Sequence, residues 1–304
     1  MESTQERRRI MHTDKLILVL GATGQQGGAV LNHLVKAGWR VRALTRDKNS
    51  KKAKSLVQKN IEIVEADIEN LPALNLAMQG VYGVFSVQPF EPIDIEKEVQ
   101  MGINVADAAK KAGVEHFIYT SFEGAEEQAK FRDLAKWEIE KHIQSIGLPA
   151  TIFRLPMFME NFLTFTHYGL QNGVYADATQ PNIPVNLIAI EDIGVFVSLA
   201  FDHPNEYVGK TISLASDAVT PPNIAAAISR VSGTTITYKQ IPMEALRKQD
   251  EEIAKVYDWI NQGKSRVDLA YLRKLHPNLT TFDKWLDKKG KIKFESFFRE
   301  NKGD

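Results

Sequence analysis

Short apolar runs alternate with stretches of helical period through the first half of the chain. Lys15–Leu20 is an apolar run that ends at Gly21, and its length suits a strand buried on both faces. Ala29–Ala37 repeats apolar side chains at helical period and stops at Gly38, a residue suited to a helix C-terminus. Trp39–Leu44 alternates Val41 and Ala43 with Arg40 and Arg42, as a strand does. Asn49 or Ser50 can then cap a basic helix to Lys59. Ile61–Val64 is a third strand, Leu71–Met78 a short helix ending at Gly80, and Val81–Val87 a fourth strand. Asp94–Ala112 is a long amphipathic helix, Glu115–Thr120 a fifth strand, Lys130–Ile146 a helix and Pro149–Arg154 a sixth strand. Strict alternation of strand and helix predicts an α/β fold with a doubly wound parallel sheet.

Past residue 155 the alternation loosens. Phe158–Gly169 reads as a helix, Asn172-Gly173 as a turn, and Asn186–Ala189 as a candidate seventh strand. Glu191–Phe201 reads as a helix and Lys210–Leu214 as a strand. Thr220-Pro221-Pro222 opens a helix to Val231, because Thr caps and Pro suits the first turn. Thr234–Gln240 is rich in strand formers, and Met243–Gln262, Lys264–Leu275 and Thr281–Lys288 read as helices. The expected organisation is a flexible lead over residues 1–14 and a nucleotide-binding core over 15–155. Residues 156–304 form mainly a smaller α+β lobe for a substrate or partner, with some segments returning to the core. No linker rich in Gly, Ser or Pro separates the two.

Composition narrows the chemistry. The 38 basic and 38 acidic side chains cancel, which argues against direct nucleic-acid binding as a main role. The absence of cysteine excludes disulfides, zinc–thiolate sites and a thiol nucleophile, and fits a reducing, cytoplasmic setting. No apolar run is long enough to span a membrane, and the start lacks the apolar segment of a secretory signal. The seven histidines show no metal-ligand spacing. His116 and His142 read as structural, with no evident carboxylate partner.

Gly21-Ala22-Thr23-Gly24-Gln25-Gln26-Gly27 stands between the first strand and the first helix. In such a unit one glycine makes the turn, one lets a pyrophosphate approach the backbone, and one lets helix and strand pack closely. The helix N-terminus offers N–H groups and partial positive charge, and Thr23 a hydroxyl. The fold expected is therefore of the Rossmann type. The second strand ends Leu44-Thr45-Arg46 with no carboxylate at its tip. A ribose 2′-hydroxyl is usually read there by Asp or Glu, whereas a 2′-phosphate wants a cation. Arg46 thus favours NADP(H) over NAD(H), although Asp47 blurs the signal. Asp67 after the third strand can bond an adenine amine while Ile68 packs on the ring; the alternative is turn formation. Ser86, Val87 and Gln88 close the fourth strand at the switch point. Thr120 and Ser121 close the fifth, facing the nicotinamide ribose.

These pieces resemble the NmrA-like family, an atypical branch of the short-chain dehydrogenase/reductase superfamily. The similarity runs over roughly residues 14–290. It is carried by Gly21–Gly27, Val41–Arg46, Arg154-Leu155-Pro156 with Glu160-Asn161, Tyr207–Gly209 and Leu279–Leu286. The resemblance implies a sheet of order 3-2-1-4-5-6, with or without a seventh strand, and a lobe covering the nicotinamide end. It implies that Arg46 reads the 2′-phosphate and that Pro156 and Phe158 through Asn161 approach the nicotinamide.

The usual reductases of the superfamily carry Tyr-x-x-x-Lys, in which tyrosine gives the proton and lysine holds the ribose. Here Lys136 fits the lysine, but Arg132 occupies the tyrosine position, and arginine is not a general acid near neutrality. Lys136 is the candidate catalytic and ribose-binding residue. Tyr119 reads as packing. Tyr168 and Tyr175 are candidate pocket residues. Met157, Phe158, Met159, Phe162 and Phe165 either floor a pocket for a flat ligand or form lobe core. The leading expectation is an NADPH-dependent oxidoreductase for a quinone or similar electron-poor acceptor. The alternative is a non-catalytic NADP(H) redox sensor that acts through a protein partner.

Overall fold

The computed structural model describes residues 14–57, 61–88, 94–163, 170, 171, 173–265, 267–290 and 294. Most of the lead, the end of the helix expected to reach Lys59, and Phe165, Tyr168 and Asn172 lie outside the described residues. The chain forms two compact units. The first comprises residues 1–125, 133–154 and 193–212; the second comprises 126–132, 155–192 and 213–304.

The first unit is built on strands β1 (Leu16–Val19), β2 (Arg40–Thr45), β3 (Glu62–Glu65), β4 (Gly83–Ser86), β5 (His116–Phe122) and β6 (Ala150–Leu155). The sheet runs β11-β6-β5-β4-β1-β2-β3, where β11 is Thr211–Ser213. The expected order is observed, and β11 extends it at the β6 edge. β1 pairs in parallel with both β2 and β4, so Val19 lies beside Ala43 on one side and Phe85 on the other. All four residues of β1 are buried, as an apolar run with helices on both faces requires.

Helices α1 (Gln25–Ala37), α2 (Lys51–Val57), α3 (Leu71–Ala77), α4 (Ile95–Lys111), α5 (Ala125–Gln128) and α6 (Ala135–Ser145) follow the successive strands. Leu18, Val84, Phe117 and Tyr119 pack with Val105 and Ala106 of α4 and with Ile139 and Ile143 of α6. The opposite face uses α1 and α7 (Ile190–Asp202). There, a Cβ on Gly194 would lie 2.8 Å from Ala29 O, so only glycine lets these two helices meet. Phe201 of α7 also packs edge-on to His116, with ring centroids 5.1 Å apart.

The second unit holds two three-stranded sheets. In one, β10 (Val185–Ile188) pairs antiparallel with β12 (Asp217–Val219) and parallel with β7 (Met157–Phe158). In the other, β9 (Val174–Asp177) lies between β8 (Leu170–Gln171) and β13 (Thr237–Gln240). The candidate strand at Asn186–Ala189 therefore exists as β10, but it belongs to this unit. The core joins Met159, Phe162, Tyr175, Ile224, Phe282 and Trp285. Met159, Phe162 and Tyr175 are thus core residues of this unit, whereas Met157 and Phe158 are half-buried.

Several helices are shorter than the periodicity predicts. Phe158–Gly169 gives only a tight turn of 3-10 helix at Met159–Leu163 among its described residues. Met243–Gln262 is broken at Asp250, whose extended backbone ends one helix and whose carboxylate accepts Ile253 N at 3.0 Å to start the next. Lys264–Leu275 is helical only from Leu269, where Asp268 accepts Tyr271 N at 2.9 Å. The last two breaks sit at an aspartate that competes for backbone N–H groups.

Candidate functional site

Two of the glycines in the turn have a steric reason to be glycine. Gly21 has a φ of 62°, a conformation in which a side chain is strained. Gly24 caps α1 without any side-chain hydrogen bond, and the first turn carries no acidic residue. No side chain of this helix start therefore offsets its N–H groups or its partial positive charge. A Cβ on Gly27 would stand 2.3 Å from Gly21 O, so glycine is what lets α1 start against the turn. Thr23 is half-buried and Gln25 exposed, while Gln26 Oε1 is buried without a hydrogen-bond partner.

Val87 touches this turn: its Cγ1 would lie 2.9 Å from a Cβ on Gly21. That contact places the end of β4 beside the glycines, at the point where the strand order reverses. Ser86 and Gln88 are both buried, and Gln88 Nε2 donates to Ser86 Oγ at 3.2 Å. Gln88 Oε1 has no donor. On neighbouring β5, Thr120 Oγ1 and Ser121 Oγ are also buried without a partner. A buried polar group left unpaired costs about 1–3 kcal/mol. Counting Gln26 Oε1, four such atoms lie on the glycine turn, at the end of β4 and on β5.

Arg46 lies exposed at the tip of β2, with no partner among the described residues. Each neighbouring carboxylate has one oxygen engaged. Asp47 Oδ1 accepts Asn49 N at 2.7 Å in a turn, and Glu65 Oε2 accepts Lys48 N at 3.1 Å. Asp47 thus commits one carboxylate oxygen to its own turn and keeps the other open. Asp67 does the same: its Oδ1 accepts Glu69 N at 2.9 Å. Asp67 also lines a shallow depression with Asn70, Leu71 and Pro72. Ile68 packs partly into the core, and its carbonyl accepts Asn104 Nδ2 at 3.1 Å.

Lys136 does not lie on a continuous helix with Arg132. The helix expected from Lys130 begins only at Ala135, and Arg132 belongs to the second unit. The Arg132 guanidinium donates to Gln128 Oε1, while its Nε is buried without a partner. Burial lowers its pKa, opposed by the charge of Glu252. Lys136 Nζ instead donates to Glu98 Oε1 at 2.5 Å and lies 5.8 Å from the centroid of the Phe122 ring. Nearby, Arg154 NH2 donates to the fully buried Glu140 at 2.7 Å, and its guanidinium lies 5.5 Å from the Trp137 ring centroid. The Tyr119 hydroxyl is buried with no partner. Burial, then Glu98 and Glu140, raise its pKa well above the ordinary value, so its proton is held.

Glu98 and Glu140 are the residues that sequence reasoning missed. Glu98 lies 38 residues from Lys136, so no local spacing could have signalled the pair. His142 likewise has a carboxylate partner, Asp107 Oδ1 at 2.7 Å on α4, contrary to expectation.

Pro156, Phe158 and Asn161 lie in the second unit; Pro156 is buried, and the other two are half-buried. Glu160, between them, accepts Trp285 Nε1 at 3.0 Å and Ile190 N at 3.2 Å. The Glu-Asn pair thus includes a carboxylate that ties three parts of this unit together. Among the described residues no cluster of side chains could hold a metal ion, and no helix is long and apolar enough to cross a membrane.

With this geometry in hand, comparison with known proteins is specific. Residues 13–286 match the model of the NmrA-like family, and the chain belongs to that family. It is 29% identical to an NmrA-like family domain-containing protein of Dictyostelium discoideum, over 90% of this chain and 97% of that one. Its fold matches the NADPH-dependent quinone oxidoreductase of Escherichia coli in complex with NADPH. That match has a TM-score of 0.75 and 26% identity, and covers 90% of this chain and 99% of that one. It equally matches NmrA, a negative transcriptional regulator, in complex with NADP. Here the TM-score is 0.75 and the identity 22%, covering 96% and 99% of the two chains.

Proposed function

We propose that this protein is an NADPH-dependent oxidoreductase acting on a quinone or similar electron-poor acceptor. The observation that carries the reading is the set of buried unpartnered polar atoms, Gln26 Oε1, Gln88 Oε1, Thr120 Oγ1 and Ser121 Oγ, on the glycine turn, at the end of β4 and on β5, together with a helix start that has no side-chain cap. The quinone oxidoreductase relative, solved with NADPH, supports it. On this reading Gly21, Thr23, Gly24, Gln25, Gln26 and Gly27 hold the pyrophosphate through α1. Ser86, Val87, Gln88, Thr120 and Ser121 line the path of the dinucleotide along the strand ends. Asp67 and Ile68 take the adenine, using the carboxylate oxygen not committed to the turn.

NADP(H) is the cofactor favoured over NAD(H), because Arg46 is the unpaired cation at the tip of β2, while one oxygen each of Asp47 and Glu65 is already given to a backbone N–H. Lys136 holds the nicotinamide ribose through its ammonium. The roles of Pro156, Phe158 and Asn161 rest on family resemblance alone. When bound, the cofactor supplies the hydride. Arg132 offers charge but no labile proton. An acceptor whose reduced oxygens collect protons from water therefore suits this chain better than a simple ketone. The proposed location is the cytoplasm.

A second reading has its own support. The missing tyrosine and the relation to a transcriptional regulator favour an NADP(H) redox sensor that acts through a protein partner. Steady-state NADPH oxidation with a panel of small quinones and enones separates the two, with cofactor binding measured on the same sample. Turnover that saturates in the acceptor and disappears in Lys136→Ala is the expected result. Tight NADP(H) binding with no turnover transfers the conclusion to the sensor, and absence of binding removes both.

A further inference from the structure

Lys136 is the second residue of α6, so its ammonium stands at the positive end of a helix dipole. Its side chain is only 13% exposed. A cation in that place lacks both water and a favourable dipole, and something must compensate it. Glu98 does. It is in the first turn of α4, where a carboxylate is favoured, and it meets Lys136 Nζ at 2.5 Å with its own side chain 22% exposed. One turn further on, a Cβ on Gly102 would stand 2.4 Å from Ile139 Cδ1. The two helices are therefore held at a close, fixed separation, and the ion pair cannot be an accident of two long exposed chains.

The geometry points to Glu98 as the positioning residue for Lys136. Its carboxylate holds the ammonium in place near Phe122, at the carboxyl end of β5, so that Lys136 meets a bound nicotinamide ribose in a prepared orientation. This rests on the dinucleotide reading above. Glu98 contacts no reacting atom and acts only through Lys136. Exposed ion pairs contribute little, whereas removing one partner of a mostly buried pair leaves a charge without compensation.

The test is a titration of the intact protein with NADPH, for the wild type, Glu98→Gln, Glu98→Asp, Lys136→Met and the double variant Glu98→Gln/Lys136→Met. Thermal melts check that each is folded. Glu98→Gln should weaken NADPH binding about 10-fold, a coupling normal for residues in contact, and Glu98→Asp should recover part of the loss. In the Lys136→Met background, Glu98→Gln should add nothing. Where turnover is measurable, KM for NADPH should rise more than kcat falls. Wild-type binding in Glu98→Gln, or the same loss with and without Lys136, overturns the positioning role. If Glu98→Gln does not fold, the aspartate and double variants decide, since neither leaves an unpaired charge. Failure of the wild type itself to bind NADPH overturns the dinucleotide reading and this inference with it, and is seen before any variant is compared.

Discussion

The two units differ in the balance between bonded and unbonded buried polar groups. In the second, carboxylates serve as hubs. Asp192 accepts from Ser216 Oγ at 2.5 Å, Thr280 N at 3.0 Å, Thr280 Oγ1 at 3.1 Å and His276 Nε2 at 3.2 Å. Asp177 accepts Tyr257 OH at 2.7 Å and Thr179 N at 2.8 Å, and Glu160 ties Trp285 to Ile190. In the first unit, Gln26, Gln88, His116, Tyr119, Thr120 and Ser121 each keep a buried atom without a partner, while in the second Arg132 Nε and Trp259 Nε1 do so among the described residues. A unit of small sheets has few backbone ladders and needs side chains to join its pieces. A long parallel sheet holds itself together and can leave polar groups open where its strands end. The bonded carboxylates hold the second unit's pieces together, and the unpartnered atoms of Gln26, Gln88, Thr120 and Ser121 are the ones the proposed dinucleotide reading uses.

Three measurements would break or sharpen that contrast. The largest effect is expected from Asp192→Ala. It leaves Ser216, His276 and Thr280 without their common acceptor and should cost about 3–5 kcal/mol in denaturant unfolding. A loss below 1 kcal/mol would mean the hub is incidental. Burial by itself would raise the Asp192 carboxyl. The bonds from His276, Ser216 and Thr280 more than reverse this and hold its pKa below the ordinary aspartate value of 3.8. Its contribution is therefore present above that pH and fades as the pH falls through the folded-state value.

His116 gives the next largest effect, in the first unit. Its Nε2 lies 2.8 Å from Thr151 Oγ1, and burial pulls its pKa from 6.5 down to about 4. The unfolded chain therefore takes up the proton first as the pH falls. Stability from this group is whole above pH 6.5 and drains away towards pH 4, by up to about 3 kcal/mol. Unfolding curves at a series of pH values should lose this slope in His116→Gln. A slope that survives the substitution belongs to other groups.

The smallest expected change is the most selective. Arg46→Ala should weaken NADPH binding about 10-fold and NADH binding far less, since only one ligand carries the 2′-phosphate. Equal losses in the two titrations would reject Arg46 as the discriminating residue.

What the sequence revealed followed from range. The glycine turn was legible because its glycines, strand and helix lie within a few turns of chain. The strand order followed from the alternation and the family resemblance. The start of α6 was not legible. Lys130–Ile146 keeps helical period, yet residues 126–132 join the other unit and Leu134 begins the helix with an extended backbone and no side-chain cap. Nor was the environment of Lys136, set by a carboxylate on another helix. The Arg-Leu-Pro motif was visible as a pattern, but its arginine has a reason only in three dimensions, where it neutralises buried Glu140. Long-range pairs such as His276 with Asp192, 84 residues apart, leave no local trace.

One feature of the central sheet bears on how the chain is made. Its edge strand β11 and the residues of α7 from Ile193 onward belong to the first unit, yet they follow some forty residues of the second. When the ribosome has released Leu155, β6 still has a bare edge, and Gly83 and His116 still await Phe201. The first unit cannot close until residue 212 has emerged. Nascent chains stopped between these points expose strand edge and apolar surface together, the combination that chaperones bind and that aggregates when unprotected.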